Sequence, residues 1–273
     1  MRIQILGSAA AEAVPALWCD CEYCVYAREH GGKDLRRRCS YAIDGDTLVD
    51  FGPDAFWQTV EFHIDLTKID RVIYTHSHED HLNPVELEWR VKWFSHVSKQ
   101  LKLYGPPGVF AKLEKFELPP EKIFADAIVL SGTETVNDGD LEIIPIAAAH
   151  MQDELCLNYI LRRGGKSVLI ANDTGWWKDE SWERVAKFKV DAAIIESTFA
   201  FFKGDLDYQS GHLAAHASVR FRDKLVELGT LAPETPVAVN HFSHNGMPFQ
   251  SRMEEYFSKF GIMVGYDGMV IEL

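Results

Sequence analysis

The sequence predicts an α/β protein in which two β-sheets pack face to face with helices on their outer faces. Short runs rich in β-branched and aromatic residues recur along the whole chain, turn-forming clusters separate many of them, and four longer segments carry a helical pattern. Many strands come first, helices are interspersed, and the second half is mixed. Two sheets with helices outside is the layered arrangement that buries one face of every such element.

In chain order, strands are expected over residues 2–6, 41–43, 47–51, 71–75, 101–104, 141–149, 155–162, 167–171, 192–196, 237–240 and 269–273. Asp44-Gly45-Asp46, Arg163-Gly164-Gly165 and Asp267-Gly268 supply the turns between neighbouring runs. Helices are expected over residues 84–97, 176–188, 212–228 and 250–260. The first of these opens with Asn83-Pro84, an N-cap followed by a proline in the first turn. With no internal repeat, low-complexity stretch or Gly/Pro/Ser linker, residues 1–273 are expected to form one domain.

Composition narrows the function classes. Hydrophobic residues make up 47% and charged residues 25% of the 273, an ordinary soluble profile. No apolar run approaches the ~18 residues that span a bilayer. The opening Met1-Arg2-Ile3-Gln4-Ile5-Leu6-Gly7 reads as a strand rather than a signal peptide, so a cytoplasmic location is expected. A net charge of -13 argues against a nucleic-acid partner, whose binders concentrate Lys and Arg, but does not oppose a small phosphorylated substrate held by cations. The one basic run, Lys33 to Arg38, is expected to be a solvated loop.

The densest functional signal is Thr75-His76-Ser77-His78-Glu79-Asp80-His81, three imidazoles and two carboxylates in seven residues directly after the apolar run Arg71-Val72-Ile73-Tyr74. His at i and i+2, then Asp and His at i+4 and i+5, cannot all face one way on a regular strand or helix. They must sit on a turn at a strand end, where they can converge on cations. His150, Asp173 and His241 also stand at or just beyond the ends of expected strands. Each alone is more often a surface or capping residue; the shared context links them to the first cluster. Separately, Cys19-Asp20-Cys21-Glu22-Tyr23-Cys24 puts three thiols in six residues, a spacing that reads as metal binding before disulfide formation in a cytosolic chain. A tetrahedral structural zinc needs a fourth ligand, for which His244 is the best remaining candidate.

Thr-His-Ser-His-Glu-Asp-His resembles the HxHxDH motif of the metallo-β-lactamase superfamily, and His150, Asp173 in Asn-Asp-Thr-Gly, and His241 follow in the order of that superfamily's later ligands. The resemblance spans most of the chain. It implies an αββα four-layer sandwich of two mixed β-sheets flanked by helices, with two divalent metals at one edge. On that resemblance His76, His78 and His150 hold one metal, Asp80, His81 and His241 the other, and Asp173 bridges them. Such ligands suit zinc, manganese or iron, and such a metal pair supplies a nucleophile at neutral pH and a clamp for a phosphoryl oxygen.

Within the superfamily, the segment from Val14 to Cys24, Cys39-Ser40, His241-Phe242-Ser243-His244 and the stretch from Val264 to Met269 resemble the PhnP-type phosphodiesterases. These open phosphoribosyl 1,2-cyclic phosphates in bacterial phosphonate breakdown. The resemblance implies one structural zinc on Cys19, Cys21, Cys24 and His244. It also implies that His212, in Ser210-Gly211-His212-Leu213, is a proton donor or phosphate contact beside the metals, with Asp80 and Asp173 holding metal rather than acting as bases. The chain departs from one member of that branch at Glu196-Ser197-Thr198-Phe199, where that member carries an Asp and a nearby His, so part of the pocket is expected to differ.

Three rivals remain open on sequence. A tRNA 3′-processing endonuclease uses the same superfamily ligands, but no basic, Gly-rich arm is present here. A relative of the pyrroloquinoline-quinone pathway protein shares the cysteine motif but often lacks the complete ligand set that this chain has. A non-catalytic, metal-stabilised binding module gives no reason for seven converging ligands. Cys39 and Cys156 are expected to be buried thiols and His216 to lie on a helix surface, while His30, His63 and His96 show no partners in sequence. Of the aromatics Trp89, Trp93, Phe94, Phe199, Phe201 and Phe202, most are expected in the core, with a homodimer face or the pocket wall as their other uses.

Overall fold

The computed structural model describes residues 1–202 and 211–273. The strands are β1 (Arg2–Gly7), β2 (Ser40–Ile43), β3 (Thr47–Val49), β4 (Arg71–Ile73), β5 (Leu101–Gly105), β6 (Ala125–Val129), β7 (Val136–Asp138), β8 (Leu141–Ala147), β9 (Leu157–Arg163), β10 (Lys166–Ala171), β11 (Ala192–Glu196), β12 (Val237–Asn240), β13 (Met263–Val264) and β14 (Val270–Glu272). They form two seven-stranded sheets, ordered β14-β1-β2-β3-β4-β5-β6 and β13-β12-β11-β10-β9-β8-β7. Both sheets are mixed in the same way, antiparallel on one side (β14 to β3; β7 to β10) and parallel on the other (β3 to β6; β10 to β13).

Period-two alternation decides which face each strand buries. In β10, Val168 and Ile170 point between the sheets, where they meet Ile3, Ile5, Tyr41 and Ile73 of the first sheet. Leu169 and Ala171 point outward beneath the helices α5 (Asp179–Val185), α6 (Ala215–Glu227) and α7 (Gln250–Ser258). On the other side α2 (Ala55–Glu61), α3 (Pro84–Glu88) and α4 (Pro107–Lys115) cover Leu48, Val72 and Leu103. The result is helix, sheet, sheet, helix, the α/β four-layer sandwich expected. Helix α1 (Glu22–His30) packs apart from these layers, through Tyr23 and Ala27 against Val14 and Phe249. Among the described residues no helix is long and apolar enough to cross a membrane.

Three groups of expectations change. The helix expected over residues 84–97 stops at Glu88, although its start is as predicted: Asn83 accepts from the Val85 N–H at 3.2 Å with Pro84 in the first turn. Beyond it the Arg90 guanidinium is captured by the carbonyls of Ile123 and Lys99, which turns the chain away from a helical path. Four of the six aromatics placed mostly in the core are exposed instead: Trp89, Trp93, Phe94 and Phe202. The basic run is not a solvated loop throughout, because Arg36 is 2% exposed and donates to the Tyr23 and Ser8 hydroxyls, the Gly265 carbonyl and Gln250. Its guanidinium lies over the Phe242 ring, so five partners replace the water that such a charge requires. Cys39 and Cys156 are buried and His216 is exposed, as expected.

Candidate metal centre and acid–base dyad

The carboxyl ends of β4, β10 and β12 and the β8–β9 connection meet at one edge of the sandwich. Three residues there, Asp50, Asp173 and His241, follow closely on the ends of β3, β10 and β12 with φ of 62°, 46° and 62°. This left-handed backbone is costly for residues other than glycine, and it turns each side chain off the strand line into the edge.

The structure brings all seven residues singled out in sequence to that place. Ligand atoms of His76, His78 and His150 lie within 4.8 Å of one another, as do those of His76, His81 and Asp173, and of Asp80, His81 and His241. His150 Nε2 is 3.3 Å from His78 Nδ1, and Asp173 Oδ2 is 3.0 Å from Nε2 of both His81 and His241. His76, His81 and His241 are each at most 1% exposed.

Buried polar atoms normally find partners. Here His76 Nε2, His81 Nε2, His241 Nε2 and Asp173 Oδ2 are buried with no partner outside the cluster, and Asp173 Oδ2 faces the His81 and His241 nitrogens at 3.0 Å. Divalent cations would satisfy all four, so the donor set fits metal binding. The opposite ring nitrogens are already fixed, as second partners of metal-binding histidines usually are. His76 Nδ1 meets the Thr75 hydroxyl at 3.0 Å, His81 Nδ1 meets Asp50 Oδ2 at 2.7 Å, His241 Nδ1 meets the Thr198 hydroxyl at 2.8 Å, and His150 Nδ1 meets the Gly211 carbonyl at 3.0 Å.

The electrostatics fit the same reading. Burial would raise Asp80 and Asp173, but the His81 and His241 charges beside them hold both carboxyls well below the usual range. Burial would lower His81 and His241, yet the facing carboxylates hold His81 well above its ordinary value and push His241 up to about 10. Burial, reinforced by the neighbouring His81 charge, keeps His76 well below. The ionised carboxylates therefore draw positive charge into the cluster, and a divalent cation supplies it while displacing the protons.

Sequence reading missed Asp50. Its carboxylate is fully buried and accepts from the Thr75 backbone N–H at 2.8 Å, the Thr75 hydroxyl and His81. The signal available was a carboxylate inside the apolar run Leu48-Val49-Asp50-Phe51. Replacing Asp50 with Asn is expected to weaken cation binding by the Asp80, His81 and His241 group about 10- to 100-fold, the usual effect of losing such an orienting partner. Chelator competition reads this directly; unchanged affinity would make Asp50 a packing residue only.

Next to the cluster stands His212, whose ring centroid is 4.8 Å from that of His150 and 5.8 Å from that of His241. Its Nδ1 is 3.0 Å from Glu196 Oε1. Burial would lower His212, and the Glu196 carboxylate reverses this, so its value is raised. Glu196 is fully buried and also accepts from the backbone N–H groups of Thr174, Thr198 and Leu213 at 2.6, 3.2 and 3.0 Å. The departure noted at Glu196 is thus the seat of a carboxylate–imidazole pair. Ser210 lies outside the described residues. A pocket of about 450 Å³ is lined by His78, Asp80, His150, Asp173, His212 and His241, with Glu12, Phe199, Phe202 and Asn245 on its walls.

The second cluster also assembles. One ligand atom each from Cys19, Cys21, Cys24 and His244 lies within 4.8 Å of the others, and His244 Nδ1 is 3.5 Å from Cys19 Sγ and 3.7 Å from Cys21 Sγ. Burial pushes the Cys24 thiol up to about 12, so its ionisation at neutral pH needs a nearby cation.

Residues 46–245 match the family described as the beta-lactamase superfamily domain. An octanoyltransferase of Porphyromonas gingivalis is 31% identical over 113 residues, 40% of this chain and 21% of that protein, so the chain spans about a fifth of the curated relative it matches. Among solved structures, zinc-bound PqqB from Methylobacterium extorquens superposes with a TM-score of 0.76 at 17% identity, covering 100% of both chains. A diphosphatase from the PhnP family superposes with a TM-score of 0.72 at 22% identity, covering 100% of this chain and 98% of that one. Both likenesses concern the fold.

Proposed function

The chain belongs to the beta-lactamase superfamily domain family, a metallo-β-lactamase-fold family of hydrolases, and from that premise we propose that it is a dinuclear metal-dependent phosphodiesterase acting on a small cyclic phosphodiester such as a phosphoribosyl 1,2-cyclic phosphate. The observation that carries this reading is the Glu196–His212 pair, set against the side of the cluster formed by His150 and His241. A site that only stored metal would have no use for a buried carboxylate orienting a partly exposed imidazole beside it. The PhnP-family relationship of one structure of this fold, a diphosphatase, also favours phosphate chemistry.

In this reading His76, His78 and His150 would hold one divalent cation and Asp80, His81 and His241 a second, with Asp173 within reach of both groups. Bound there, zinc, manganese or iron supplies a Lewis-acid clamp for phosphoryl oxygens and a nucleophile at neutral pH. The chain's own residues do the rest. Glu196 takes the Nδ1 proton of His212 as a hydrogen bond and leaves Nε2 to protonate the departing sugar oxygen as the P–O bond breaks. Four donors on Glu196, one of them His212, hold that carboxylate in place. Phe199 and Phe202 supply an apolar wall to the pocket. Its volume of about 450 Å³ suits a small molecule. Cys19, Cys21, Cys24 and His244 would hold a separate structural zinc, forming a zinc knuckle.

A hydrolysis panel tests the reading, with metal analysis on the same preparation. Ribose 1,2-cyclic phosphates are expected to turn over well above 2′,3′-cyclic nucleotides, and pre-tRNA not at all. Cleavage of pre-tRNA alone would assign the site to RNA processing, and metal content without hydrolysis of any phosphodiester would make the protein a binding module.

A further inference from the structure

Ser77 stands between His76 and His78, and every polar group it owns is held from outside the cation cluster. Its backbone N–H donates to Glu154 Oε1 at 2.9 Å and its hydroxyl to Oε2 at 2.5 Å, so one carboxylate spends both oxygens on one residue. Its carbonyl accepts from Lys112 Nζ at 2.6 Å, on a side chain only 11% exposed. The backbone torsions of Ser77 decide where its two neighbours aim, since side chains on either side of one residue turn with it. Held at three points, that residue cannot turn freely.

Glu154 comes from the connection between β8 and β9, which also carries His150. The carboxylate therefore joins the turn after β4, in the first sheet, to a loop of the second sheet. His76, His78 and His150, whose ligand atoms lie within 4.8 Å of one another, come from those two segments. One backbone and one side-chain tie run parallel to it: the Leu157 N–H donates to the Thr75 carbonyl at 2.9 Å, and the Tyr159 hydroxyl to the Tyr74 carbonyl at 2.6 Å. These fix the approach to the turn, while Glu154 reaches its middle.

The seat of Glu154 is itself built. It lies against the first turn of α4, where a Cβ on Gly108 would come within 2.3 Å of Glu154 Oε1 and 2.4 Å of its carboxyl carbon. A side chain at position 108 would have to push the carboxylate out of this seat, since only hydrogen leaves room for it where it lies. The helix N-terminus favours that negative charge, and Lys112, one turn further along α4, reaches the other side of Ser77.

We propose that Glu154 is a positioning residue for the cation held by His76, His78 and His150, acting through Ser77, with Gly108 and Lys112 of α4 completing the clamp. It rests on the dinuclear reading given above. Glu154 touches neither the cation position nor the substrate pocket; it sets the spacing of three ligands drawn from two sheets. Loss of such support costs about 10- to 100-fold in metal affinity, and the effect falls on one of the two catalytic cations.

The test compares the wild-type chain with Glu154→Gln, Ser77→Ala and Gly108→Ala, each stripped by chelator and titrated with Zn²⁺ against a competing chelator, with bound zinc counted by native mass spectrometry. The wild type is expected to bind three ions. Each variant is expected to keep two at wild-type affinity, the knuckle zinc and one catalytic ion, and to bind the third about 10- to 100-fold more weakly, with hydrolysis recovering at excess Zn²⁺. Gly108→Ala is the sharpest arm, because it leaves every polar group of the clamp in the chain and acts only by displacing the carboxylate. Three ions at wild-type affinity in all variants would overturn the clamp and leave the dinuclear reading standing. Loss of the knuckle zinc along with the third ion would make Glu154 a folding residue, which also overturns it. A wild type that binds only the knuckle zinc would overturn the dinuclear reading itself.

Discussion

Replacing His212 with alanine is expected to lower kcat for a cyclic phosphodiester about 100- to 10,000-fold, the usual worth of a positioned general acid, while the metal content stays unchanged. The geometry separates the two effects. The proposed ligand atoms His76 Nε2 and His241 Nε2 are buried without partners outside the cluster, whereas the His212 ring is 22% exposed and spends Nδ1 on Glu196. Removing it leaves all seven candidate ligands and their orienting partners in place. KM is expected to move far less than kcat, because the proton is delivered as the leaving oxygen departs, and interactions made only at that stage act on kcat. A substrate with a more acidic leaving group, such as a p-nitrophenyl ester, needs less protonation and should lose much less. Loss of metal in step with activity, at constant activity per bound metal, would show that His212 is a ligand rather than an acid.

Replacing Cys21 with serine is expected to remove the knuckle zinc and to destabilise the fold by several kcal/mol. Structural zinc contributes about 10–16 kcal/mol of binding free energy in small zinc-folded domains, and part of that is lost with one thiolate. For a chain of this size a loss of about 3 kcal/mol lowers Tm by roughly 6–12 °C. The effect should reach the catalytic edge, because His244 stands three residues beyond His241 on one short segment. Between them the Phe242 N–H donates to the Ser8 carbonyl, and its ring lies under Arg36. Activity per folded molecule should nonetheless persist at low temperature, since none of the knuckle residues lines the pocket. Zinc stoichiometry by mass spectrometry and thermal unfolding check this together; an unchanged zinc count in Cys21→Ser would remove the structural-site assignment.

Strand and hairpin positions were largely legible, because alternating Val, Ile and Tyr runs bounded by Asp-Gly or Gly-Gly turns are a local property of the chain. Four strong runs around Leu141 to Glu196 appear as β8 to β11 within a few residues of their expected ends. Helices α1, α2 and α4 were not foreseen. α1 sits inside the cysteine motif, α2 is only seven residues long, and α4 opens on Pro106-Pro107-Gly108, which reads locally as a turn. Strand β6 escaped because its pattern is mostly exposed, with Ala125-Asp126-Ala127 too polar and small to mark a sheet edge. Trp89, Trp93 and Phe94 misled in the other direction, since composition cannot say which side of a layer an aromatic faces.

The candidate metal-binding side chains were readable from sequence because residues 75–81 concentrate them and the later ones stand at or just beyond strand ends. What surrounds them was decided by the tertiary structure. Asp50, Glu196 and Glu154 are separated from His81, His212 and Ser77 by 31, 16 and 77 residues, and their roles exist only once the layers bring them together. A carboxylate in a strand run gives no local sign of which imidazole it will face. Ligand identity is chemistry written residue by residue, whereas orientation is set by long-range packing, and that is why the sequence showed a donor set suited to cations and only the fold showed which carboxylates face its imidazoles and His212.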